Sequence, residues 1–145
     1  MKSPGLKRSP WISTLAIVAI LFGVLTIISG GRTLFNAEAQ QLAGNIVPFV
    51  LWFNFLAGFV YVVAGVGLWL RQRWSIWLSF AIAAATLLIF SALGLQIWSG
   101  GSYEMRTVAA MGLRAMTWLV ISAVAYLKLA NHHIKQYGKM SSPNF

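Results

Sequence analysis

Four apolar runs dominate the chain, at residues 11–29, 46–70, 74–98 and 107–127, and the first three contain no charged side chain. A hydrocarbon core about 30 Å thick is crossed by roughly 20 helical residues rising about 1.5 Å each. Each run is long enough for that. The alternation of period two that a membrane barrel requires is missing, and uncharged runs of this length must satisfy their backbone groups internally. The pattern therefore predicts an all-α integral membrane protein: one domain over 1–145, built as a bundle of four transmembrane helices.

Local chemistry places the boundaries. Pro10 precedes the first run and Pro48 opens the second, where a missing N–H costs little. Gly30-Gly31 and Gly100-Gly101 follow the first and third runs, where left-handed caps favour glycine. Trp11, Trp52, Trp69, Trp74, Trp77, Trp98 and Tyr126 fall near run ends, as interfacial aromatics do. The turn Arg71-Gln72-Arg73 makes spans two and three antiparallel neighbours, and 99–105 joins three and four almost as tightly. Only the segment 30–45 is long enough for structure of its own, with a short interfacial helix expected over 33–42.

Two other readings of these segments fail on geometry. The basic start and Ala37-Glu38-Ala39 imitate a cleavable signal, but the apolar run is too long and the Ala-x-Ala lies too far beyond it. Ser-Gly-Gly recurs at 29–31 and 99–101, as an internal duplication would produce. Three residues of likeness fit two glycine caps better.

Charge sets the orientation. Lys2, Lys7, Arg8, Arg71, Arg73, Lys128, Lys135 and Lys139 collect on one side, against Arg32 and Arg106 with Glu38 and Glu104 on the other. The basic side is expected to be cytoplasmic, with both termini there and the tails 1–10 and 128–145 lying against an anionic leaflet. The last part of the tail, after Gly138, is expected to be partly disordered. The net charge of +9 is thus distributed as topology and does not form a nucleic-acid patch. Composition agrees, with 59% hydrophobic and 9% charged residues and a mean hydropathy of +0.74. The bilayer is the expected partner, in a cytoplasmic (inner) membrane of bacterial type.

Helix faces refine the picture. Ala16, Ala19, Gly23, Thr26 and Gly30 share one side of span one, and Asn54, Gly58, Tyr61 and Gly65 one side of span two. Small residues so spaced let backbones approach, which drives helix packing in lipid; Ala19, Gly23, Gly58 and Gly65 are the expected packing positions. Arg114 alone places a charge inside a span, at a cost of about 2.5 kcal/mol or more. It lies eight residues below Arg106, about 12 Å by helix rise, and Asn54 is equally far below Ile46. A ligand site is therefore expected where Arg114 meets Asn54, with Gln96, Tyr61, Thr107 and Arg106 around it. Its excess of cation suits a carboxylate, a phosphate or a quinone oxygen. The competing reading is an anchor, with Arg114 snorkelling to lipid phosphates or to Glu104.

The remaining chemistry is sparse. No cysteine is present, which removes disulfides, thiolate metal sites and thiol redox. Adjacent His132-His133 point about 100° apart and follow the last span, and Met105, Met111 and Met116 form no regular copper-binding face, so no metal or cofactor is expected. With Glu38 and Glu104 as the only acids, a paired-carboxylate site, a triad or an embedded proton-coupling carboxylate cannot be assembled in the usual way. The expectation is a non-enzymatic accessory or assembly subunit, or a homo-oligomer. The alternatives are a binding or transport module for an anionic or amphipathic molecule at Arg114 and, last, an enzyme acting on lipid or quinone through Glu38 or Glu104.

Overall fold

The structure, a computed structural model, describes residues 10–130. Its helices are α1 (Pro10–Phe35), α2 (Ala37–Ala43), α3 (Pro48–Trp69), α4 (Arg73–Trp98) and α5 (Met105–Ala125), and α5 runs on into a π-helical turn, Tyr126–Ala130. No strand occurs among the described residues. Helices α1, α3, α4 and α5 are long and apolar enough to cross a membrane. Their mid-helix surface is apolar too: Leu25 and Leu88 are 64% and 72% exposed. Such a surface suits lipid and not water. His132, His133 and the tail after Gly138 lie outside the described residues.

The interior is small where the exterior is large. Ala16, Ala19, Gly23, Thr26 and Gly30 are buried along α1, facing Gly58, Tyr61 and Gly65 of α3. A Cβ on Gly58 would lie 3.0 Å from the carbonyl oxygen of Gly23, and one on Gly65 3.0 Å from that of Ala16. The two helices touch backbone to backbone. Close approach of this kind gains dispersion energy, the term that packs helices where the surroundings are lipid.

From that pair the bundle extends in chain order, α3 beside α4 and α4 beside α5, whereas α1 and α5 scarcely touch. The α3–α4 turn is closed by Arg71 N–H donating to Leu68 O (3.0 Å) and Gln72 N–H to Gly67 O (2.9 Å). This is the glycine-type helix stop, yet Arg71 occupies its left-handed position at φ 57°. Gly67 leaves room for the Trp74 ring that folds back over it.

Two expected boundaries shift. Gly30-Gly31 is not a cap: α1 continues through it to Phe35, because Phe55 lies across both glycines and fills the groove they leave. A Cβ on Gly30 would sit 3.2 Å from that of Phe55. The break comes at Asn36, whose Oδ1 accepts the Ala39 N–H at 3.1 Å and starts α2. Gly100 does adopt a left-handed conformation, φ 84°, just after α4. Hence the two Ser-Gly-Gly sequences have different conformations. All seven interfacial aromatics are exposed. Trp118 is fully buried in the centre.

Candidate binding cleft

Arg114 reaches α5's core-facing side through the spacing Met111, Arg114, Trp118, all on one helical face. Its side chain leans back toward the helix N-terminus, as helical side chains do. There Nη1 meets Met111 Sδ at 3.9 Å, Nη2 meets Thr26 Oγ1 at 3.5 Å, and the guanidinium carbon lies 5.8 Å from the Phe22 ring centroid. Both polar contacts are at the long limit for hydrogen bonds, and the cation–π contact returns about 0.5–2 kcal/mol. Nε is buried without a partner, and no carboxylate pairs with the guanidinium among the described residues. The charge is enclosed but weakly compensated, which is the costly condition for an arginine in a bundle.

The loose α1–α5 seam opens beside it. A hollow of about 210 Å³ is lined by Phe22, Leu25, Thr26 and Ser29 of α1 and Ala110, Leu113 and Arg114 of α5. Leu25 and Ser29 also line a wider cleft of about 640 Å³ at the α2 end, whose walls carry Arg32, Asn36, Glu38 and Arg106. The two spaces adjoin at Leu25 and Ser29. Between the α2 end and Arg114 their walls carry three arginines and one glutamate, with apolar side chains among them. Pockets of this size class hold drug-sized and lipid-like ligands.

The residues expected to gather around Arg114 are distributed otherwise. Asn54 does not meet Arg114: it lines a separate space of about 130 Å³ with Thr33, Val47, Val50 and Thr107, and its Oδ1 has no partner among the described residues. Its neighbours Thr33 and Thr107 each lie seven residues, about 10 Å by helix rise, nearer the α2 end than Thr26 and Arg114. Gln96 donates to Ser102 O at 3.2 Å and braces the turn before α5. Arg106 stands at the wide end of the cleft. Tyr61 is fully buried, its ring tilted against Trp118 at 4.8 Å and stacked on Phe22 at 6.1 Å between centroids, so that Phe22 lies in contact with both Tyr61 and Arg114. Glu104 is not a partner for Arg114 either, because its carboxylate accepts the Asn45 N–H at 3.0 Å and occupies the space over Gly44, φ 77°.

Sequence reasoning did not assign a site role to Phe22, Thr26, Ser29 and Arg32. Thr26 carried a signal, since it is the one hydroxyl on the small-residue face Ala19-Gly23-Thr26-Gly30. Phe22 carried none. No family model matches the chain, and neither a curated protein nor a solved structure is similar to it.

Proposed function

We propose that this is a non-enzymatic multi-pass protein of a bacterial inner membrane that binds an acidic amphipathic molecule in the α1–α5 cleft. Both termini are cytoplasmic in this reading, so the α2 end and the cleft's wide mouth face outward. A single observation carries it: Arg114 is an enclosed guanidinium with no carboxylate partner among the described residues, beside a hollow that adjoins the cleft holding Arg32 and Arg106. A carboxylate or phosphate is the ligand group that would complete five N–H donors held this way. The apolar wall from Leu25 to Phe22 and Leu113 suits the attached hydrocarbon.

The test is thermal unfolding in a neutral detergent with added oleate or phosphatidylglycerol, against monoolein and phosphatidylcholine as uncharged and zwitterionic controls. Wild type should be stabilised by the acidic additives only, and Arg114→Leu by neither. Equal stabilisation of the two proteins would refute the reading.

A second reading, assembly with a copy of itself or with a larger membrane protein, is supported by Gly94 on α4 and Gly112 on α5. A Cβ on either would meet nothing within 4 Å, whereas Gly23, Gly58 and Gly65 each face a neighbouring helix. Mass measurement of the solubilised particle tests it: a strictly monomeric, partner-free protein would exclude assembly.

A further inference from the structure

Beside the wide cleft lies a smaller space that the binding reading does not use. Thr33 of α1, Asn54 of α3 and Thr107 of α5 all line the hollow of about 130 Å³, with Val50 and Leu51 among its apolar walls. Thr33 and Ala43 line the wide cleft as well, so the two spaces adjoin there.

The chemistry of the hollow is neutral and incomplete. Asn54 Oδ1 is buried and has no hydrogen-bond partner among the described residues. Thr33 already donates its hydroxyl proton to Ser29 O at 3.0 Å, so toward a guest its oxygen can only accept. The Thr107 hydroxyl can take either part. Among the described residues no acidic side chain lines the hollow, whereas Arg32 and Arg106, next in sequence to the two threonines, stand on the walls of the adjoining cleft. Adjacent helical residues point about 100° apart, which lets each arginine serve the cleft while its neighbouring threonine serves the hollow. Such a setting disfavours an ammonium and admits a neutral donor. A hydroxyl group suits it, since it can donate to the Asn54 amide oxygen or accept from the amide nitrogen, whichever way that side chain is turned. The volume equals that of about four waters at roughly 30 Å³ each, which is room for a three-carbon polyol.

We propose that Thr33, Asn54 and Thr107 form a subsite for the hydroxyls of a polyol esterified to a phosphate that the arginines of the cleft hold. The amphipath is then a glycerophosphate lipid of the phosphatidylglycerol type, and a fatty acid engages the arginines alone. The proposal rests on the acidic-amphipath reading and narrows it to one headgroup class.

A matched pair of lipids tests it. Phosphatidylglycerol and phosphatidylpropanol carry the same charge and the same number of headgroup carbons, but only the first has free hydroxyls. Thermal unfolding in neutral detergent over a series of lipid concentrations should give phosphatidylglycerol about 10-fold the apparent affinity of phosphatidylpropanol, as one or two added hydrogen bonds provide. That preference should vanish in Asn54→Leu and in Thr107→Val, which remove polar atoms at nearly constant bulk; the second serves if the first does not fold. Equal binding of the two lipids to wild type, or a preference retained in a folded variant, overturns the subsite. Equal binding would leave the acidic-amphipath reading standing, whereas failure of both lipids to bind would remove that reading as well. Glycerol phosphate, the headgroup without its chains, should shift unfolding far less than the lipid. An equal shift would overturn the assignment to a lipid.

Discussion

Helix α1 has two seams, and they are built oppositely. Toward α3 it presents Ala16, Gly23 and Gly30, and backbone meets backbone. Toward α5 it presents Phe22, Leu25 and Ser29, and a groove remains with Arg114 at its floor. The closed seam uses residues with nothing to offer chemically. The open seam holds the arginine nearest mid-depth, with a lipid-sized space beside it. One helix thus divides the labour: its small face fixes the fold, so that its larger face can stay unpacked without the bundle coming apart.

The strongest way to break the contrast is to fill the closed seam. Gly58→Leu forces a side chain into the Gly23 carbonyl and should destabilise the protein by about 3 kcal/mol, measured by unfolding in mixed micelles. An equal substitution at Gly112, which meets nothing, should leave stability almost unchanged. At the open seam the effects should be on ligand. Arg114→Leu should weaken oleate binding about 10- to 100-fold, corresponding to about 1.5–3 kcal/mol for hydrogen bonds to a charged group. The ligand-free protein should gain about 1–2 kcal/mol, since an under-compensated charge leaves the bundle. Arg114→Lys keeps the charge but loses the planar fork, and binding should fall between the two. Ser29→Leu, at the narrowing shared by the two parts of the groove, should weaken binding by about 1 kcal/mol and leave the melting temperature unchanged. The smallest effect concerns neither seam: Arg71→Gly should stabilise by about 1 kcal/mol in chemical unfolding, because a left-handed residue without a Cβ carries no steric penalty.

The four long helices were legible because hydrocarbon thickness converts directly into run length, and uncharged runs leave little alternative. The end of α1 was not. Gly-Gly reads the same whether it stops a helix or admits a neighbour, and only the position of Phe55, in another span, separates the two. Arg114 was legible as a charge, and its depth followed from helix rise. Its neighbours did not follow, because helices that are apolar on all sides carry no pattern that fixes rotation. Hence Asn54 was expected beside Arg114, whereas it lines a separate space with Thr33 and Thr107. The burial of Trp118 was invisible for a related reason: in a membrane span an indole looks the same whether it faces lipid or lines the core.

The central claim is that the open seam, and not the general lipid surface, receives an acidic amphipath. Photolabelling with a diazirine-bearing fatty acid, read by peptide mass spectrometry, addresses it most directly. The account predicts label concentrated on α1 around Leu25 to Ser29 and on α5 around Ala110 to Arg114, competed by oleate and lost in Arg114→Leu. Label spread evenly over the exposed faces of α3 and α4, at Leu56, Val63 or Leu88, and unchanged in that variant, would contradict it.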